Sequence, residues 1–192
     1  MAGDAPTIDP EEQKAKAAEH GITPDYSLKN WDPKERPIIL LGSVFDANSL
    51  GEWIYNWTKF HHSRHHKATQ VAGKLWELLI ALGGKLKRAR DFSQLIIRQE
   101  NREIVEDFTE NGERLWSKLK LLLAACEKYM WKGAKNGENG FRMGKESGAE
   151  FVEAMFSSDK QWEDTEKLMK GVQIWCDRFE VNCEEILARP DA

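Results

Sequence analysis

The feature that most constrains this chain is an apolar seam running from Asn101 to Lys132. Val105, Phe108, Gly112, Leu115, Leu119, Leu122, Cys126 and Tyr129 recur at alternating intervals of three and four residues. That interval keeps side chains on one face of an α-helix. Proline is absent from the stretch, and the one break in the seam, Gly112, is small and not polar. A helix of about 32 residues rises roughly 48 Å at 1.5 Å per residue, the full span of a small domain. The remainder of the chain has to pack along it.

A second stretch, Asp159–Ala188, repeats the pattern. Thr165, Leu168, Val172, Trp175, Phe179, Asn182 and Ile186 keep the same alternation, and Arg189-Pro190 ends it. Shorter helices are expected near 48–62 (Leu50, Trp53, Ile54, Trp57, Phe60), near 67–90 (Val71, Leu75, Leu78, Leu79, Leu82, Leu86) and at Ser147–Phe156. Residues 91–100 read as a short helical link into the spine. Gly83-Gly84 removes about 2 kcal/mol of helix propensity, so the helix either breaks there or another backbone comes very close.

The expected fold is all-α, a single-domain helical bundle over 37–190. Its two long helices, about 101–132 and 159–188, should pack antiparallel at about 20°. Residues 1–36 read as an arm carrying one short peripheral helix, Pro10–His20, capped by Asp9 and stopped by Gly21. Segment 37–45 reads as buried, helical or extended, and 133–140 as a glycine-rich surface loop.

Length and charge exclude several classes. At 192 residues the chain buries about 70% of its unfolded surface as one domain. A net charge of −4 argues against a protein made to coat nucleic acid. The longest apolar run, Leu121–Cys126, falls far short of the ~20 residues of a membrane span. The Met-Ala-Gly-Asp-Ala-Pro start lacks the features of a secretory signal. An odd number of cysteines opposes a disulfide framework, and Cys176 and Cys183, seven apart on one helix, are too distant to bridge. A cytoplasmic protein is expected.

Four histidines crowd into six residues: His61, His62, His65 and His66. On a continuous helix they would form two i,i+4 pairs, a spacing that holds Zn²⁺, Cu²⁺ or Ni²⁺. No Cys or acidic ligand is locally placed to complete a four-ligand site, and the Glu of a zinc-hydrolase motif is missing, so a polar helix end is the plainer reading and no cofactor is otherwise expected. Lys85, Lys87, Arg88 and Arg90 form the concentrated cationic patch, a candidate contact for anionic surfaces such as lipid headgroups. At a helix C-terminus those cations also suit the dipole. The stripe Glu103, Glu106, Glu110 and Glu113 reads as a solvated face, with the option of meeting that basic segment. Gly140, Gly144 and Gly148 show small-xxx-small spacing amid charges, which fits a loop entering a helix better than membrane helix pairing. Phosphate-loop, nucleophile-elbow and Cys-x-x-Cys motifs are absent, and Cys126 lies in the apolar seam, where its thiol is inert. The chain is not expected to be an enzyme.

Eight tryptophans exceed what one bundle core obviously needs. Trp31, Trp53, Trp57 and Trp131 are therefore candidate anchors of a partner-binding groove. The expectation is a non-catalytic interaction or scaffold module that binds a protein partner or itself. The rivals are a membrane-acting bundle of the cell-death or effector type, and a small-molecule or metal carrier.

Three strings carry a resemblance: Pro37-Ile-Ile-Leu-Leu-Gly-Ser-Val-Phe-Asp46, Trp53-Ile-Tyr-Asn-Trp-Thr58 and Tyr129-Met-Trp-Lys132. They resemble a largely uncharacterised family of filamentous-fungal helical proteins, some loosely labelled vegetative cell wall protein. The resemblance spans roughly Asp32 to Pro190 and brings no residue roles with it. A cell-wall role would imply export and low complexity, which this chain does not display.

The seam generates a sharp prediction. Leu119→Asp places an unpaired charge in it and should unfold or severely destabilise the domain. A soluble variant with unchanged thermal midpoint would put the seam on the wrong face.

Overall fold

The computed structural model describes residues 47–133 and 147–191. Among them lie five helices and no strand: α1 (Ala47–His62), α2 (Lys67–Ser93), α3 (Gln99–Gly133), α4 (Ser147–Phe156) and α5 (Trp162–Ala188). The fold is the all-α bundle that the periodicity predicts. The arm over 1–36 with Trp31, the segment 37–45 and the loop beyond Gly133 fall outside the described residues, as does the Trp131 side chain.

The seam helix α3 is the axis of the bundle, packing against α2, α4 and α5, while α1 is held by α2 and α4. Val105, Gly112, Leu119, Leu122 and Cys126 are buried along its inner face, with Phe108, Leu115 and Tyr129 half-buried at the edges. Every predicted seam residue of α3 thus faces a neighbouring helix or borders one.

On α5 the seam drifts. Thr165, Leu168, Val172, Trp175 and Phe179 are buried as expected, but Asn182 is exposed and Ile186 half-buried, and Cys183 and Leu187 take the inward positions. A helix of 3.6 residues per turn slips about 20° per heptad against a 3.5-residue repeat. By the last two turns the inward row has moved one position along. Asn182 swings out, and its side-chain amide donates to the Arg178 carbonyl at 2.7 Å.

Two expected boundaries differ. The link over 91–100 is not helical throughout: α2 runs to Ser93, the chain turns, and α3 starts at Gln99. Burial of Ile96 turns the backbone out of the helical path, and the Ile97 N–H donates to the Pro190 carbonyl at 2.9 Å. The last helix begins at Trp162, three residues after the expected start, because Ser157–Gln161 forms a turn. There the Gln161 N–H donates to the Ala154 carbonyl (3.0 Å) and the Ser157 hydroxyl donates to Asp159.

Gly83-Gly84 does not break α2. A Cβ on Gly83 would stand 2.8 Å from the Cβ of Ala47, so the glycine admits the start of α1, while Gly84 faces open space. Three other glycines are sockets for indole rings. A Cβ on Gly51 would lie 2.3 Å from Trp76, one on Gly112 2.7 Å from Trp175, and one on Gly148 2.1 Å from Trp57. Trp76 Nε1 donates to Asn48 Oδ1 (2.9 Å) and Trp175 Nε1 to the Phe108 carbonyl (3.0 Å), so both buried donors are satisfied.

Gly→Ala in a helix normally stabilises by up to about 1 kcal/mol. Gly84→Ala should follow that rule. Gly112→Ala should reverse it, because overpacking against Trp175 and Leu86 costs about 1–3 kcal/mol. Urea midpoints of the two variants check the pair; equal shifts of the same sign would refute the socket.

Candidate functional site

His61 and His62 close α1, and there the chain leaves the helix. Ser63 adopts φ 127°, its N–H donating to the Lys59 carbonyl at 3.1 Å and its carbonyl accepting from the buried Thr69 hydroxyl at 2.6 Å. The two i,i+4 histidine pairs are therefore not carried on one continuous helix. His66 instead caps α2, its Nδ1 accepting from the Ala68 N–H at 3.1 Å. His65 is exposed, and only its carbonyl is engaged, by the Gln70 side chain at 3.5 Å.

The same turn brings three rings together. His66 lies flat on His62, with centroids 4.2 Å apart and planes 8° from parallel, and His61 meets His62 edge-on at 4.4 Å. Opposite them, α4 presents Glu153, whose Oε2 lies 3.1 Å from His61 Nε2 and 3.4 Å from His62 Nε2. Glu153 is 92 residues from His61 in the chain. Nothing in its local sequence marks it.

Burial lowers the His62 pKa below the ordinary 6.5, His61 and His66 push the same way, and Glu153 opposes them. The cysteines behave as packing groups. Cys126, Cys176 and Cys183 are free and buried, and burial pushes the thiols of Cys126 and Cys183 up to about 12. Burial also raises Cys176, so all three are held as thiols.

The basic segment is paired within the fold. Lys85 Nζ lies 3.1 Å from Glu180 and 3.5 Å from Glu184 on α5, and Arg88 also meets Glu184. Lys87 pairs with Asp91 at 2.7 Å, and Arg90 reaches Glu113 of the α3 acidic stripe at 2.8 Å. Glu103, Glu106, Glu110 and Glu113 are all exposed, as a solvated face requires.

The candidate anchors Trp53 and Trp57 are half-buried and packed on the core. Trp53 meets Phe151 edge-on at 5.3 Å and Trp57 meets Phe60 at 5.6 Å. A different surface is open. Between α3 and α5 runs a groove of about 550 Å³, floored by Phe108, Leu115 and Trp175 and rimmed by Asp107, Arg114, Lys118 and Arg178. Ile174 stands in it 58% exposed. The Arg178 guanidinium lies 5.8 Å from the Phe108 ring centre. Arg114 pairs with Glu110, but among the described residues no carboxylate reaches ion-pairing distance of Lys118 or Arg178.

No protein family, curated protein or solved structure matches this chain.

The His62 shift has a consequence for stability. The unfolded chain takes up its proton near pH 6.5, before the folded chain does. Stability is therefore complete above that pH and falls as the solution is acidified, levelling off below the folded-state value. In chelator-treated protein, His62→Gln should flatten the decline of the thermal midpoint between about pH 7.5 and pH 5. A wild-type slope retained by the variant would assign the titration elsewhere.

Proposed function

We propose that this chain is a non-catalytic cytosolic interaction module that receives an acidic amphipathic helix of a partner protein in the groove between α3 and α5. One observation carries the reading: an apolar floor with exposed Ile174 lies between Lys118 and Arg178, two cations with no carboxylate partner among the described residues. Along Lys85–Arg90, by contrast, the cations are paired with carboxylates. An amphipathic helix laid in a groove supplies apolar anchors at i, i+3, i+4 and i+7. Acids flanking those anchors would complement the rim and speed encounter.

The rival membrane-acting module draws less support. No helix among the described residues is long and apolar enough to cross a membrane. The cationic patch that motivates surface contact is already engaged with carboxylates.

The test is fluorescence anisotropy with two designed amphipathic helical peptides that share one apolar face and differ in an acidic or a basic polar face. The acidic peptide should bind, weaken with salt, and lose at least tenfold in affinity on Ile174→Asp. That surface change should leave stability within about 0.5 kcal/mol. Equal binding of the basic peptide, indifference to Ile174→Asp, or no binding would overturn the proposal. A concentration-dependent dimer abolished by Ile174→Asp would replace the partner helix with a second copy of this chain.

A further inference from the structure

The turn that replaces the expected continuous helix leaves a different set of ligands together. One ring nitrogen of His61, one of His62 and a Glu153 carboxylate oxygen all lie within 4.8 Å of one another. Two of the three separations, 3.1 and 3.4 Å, run from Glu153 Oε2 to the two imidazoles. A four-coordinate ion with bonds of about 2.0–2.1 Å places its ligand atoms roughly 3.3–3.4 Å apart. The two edges that meet at Glu153 already have nearly the length of an edge of that tetrahedron.

We propose that His61, His62 and Glu153 form a three-ligand site for a divalent late first-row metal ion such as Zn²⁺ or Co²⁺, with its fourth position open to solvent. Two imidazoles and one carboxylate suit these ions, whereas Mg²⁺ and Ca²⁺ favour all-oxygen sets. The His61 and Glu153 side chains are 36% and 37% exposed, so a water or an incoming ligand reaches the open position. A metal there would tie the last turn of α1 to the middle of α4, two helices far apart in the sequence.

The supports on either side keep the ligands in place. Glu153 is flanked on α4 by the buried residues Val152, Ala154 and Met155. The Trp57 indole over Gly148 holds α1 against the same helix. His62 is oriented by the ring of His66, which is itself fixed by its bond from the Ala68 N–H. His66 is thus a positioning residue and His65 has no part. Without metal, two adjacent imidazoles share a single carboxylate oxygen. A divalent ion would give each ligand its own bond and supply the positive charge the carboxylate lacks.

The site is independent of the α3–α5 groove and is tested by its own readout. Full-length protein without a polyhistidine tag is titrated with Co²⁺, followed by visible d–d absorption and calorimetry, and then with Zn²⁺, followed by thermal midpoint. One ion per chain should bind, with the absorption of a four- or five-coordinate centre, and Zn²⁺ should raise the midpoint by several degrees. His61→Ala, His62→Ala and Glu153→Gln should each weaken binding at least tenfold, whereas His65→Ala should leave it unchanged. His61 and His65 are exposed and His62 and Glu153 half-buried, so circular dichroism of the metal-free variants is used to confirm that each folds. His66→Ala should weaken binding less than the ligand variants while preserving the Co²⁺ spectrum. Undiminished binding in Glu153→Gln, dependence on His65, or only millimolar association shared by every variant would overturn the site.

Discussion

The contact on which this bundle depends is the indole of Trp175 lying across Gly112. At that point α2, α3 and α5 converge, and a Cβ on Gly112 would collide with Leu86 of α2 as well as with the ring. A missing side chain on the longest helix therefore sets the distance at which two others approach. Trp175 fills the gap with one of the largest apolar surfaces available to a residue, and its one polar atom is satisfied by the Phe108 carbonyl. Truncating a buried aromatic of this kind costs about 3–5 kcal/mol, a large share of the stability of a domain. The same device recurs at Gly51 with Trp76 and at Gly148 with Trp57. That pattern accounts for much of a tryptophan content that otherwise looks excessive for a core.

Periodicity made the helices legible because burial and spacing are the same fact seen twice. Ser147–Phe156 is predicted to the residue, and the seam residues from Val105 to Tyr129 all border or enter the core. Where the reading slipped, it slipped by geometry: Asn182 was placed on a 3.5-residue repeat that a straight helix does not keep. Gly112 read only as a small interruption, and Gly148 read as part of a loop motif, since a one-dimensional string does not say which indole will lie on a glycine.

The candidate site was legible only in half. The histidine run is conspicuous, yet its spacing suggested a continuous helix, and the backbone at Ser63 forbids one. Glu153 sits in an unremarkable decade of sequence and acquires meaning only through the packing of α4 on α1. Charge followed the same rule. The cations of 85–90 form the densest cluster in the string and are consumed by Glu180, Glu184, Asp91 and Glu113, whereas Lys118 and Arg178, unremarkable in the string, face an apolar floor. Local density of charge says little about availability, because partners come from other helices.

The hydrogen bond from Ile97 to Pro190 joins the α2–α3 turn to the residues that follow α5. It closes a ring of backbone through α3, α4 and α5, so that the last helix serves as a clasp. Ile96, next to the bond, has almost no contact with water in the closed bundle. Fraying of α5 and loosening of the turn are thus one event: amides in two segments far apart in the chain should exchange with solvent at a common rate, as a single cooperative unit.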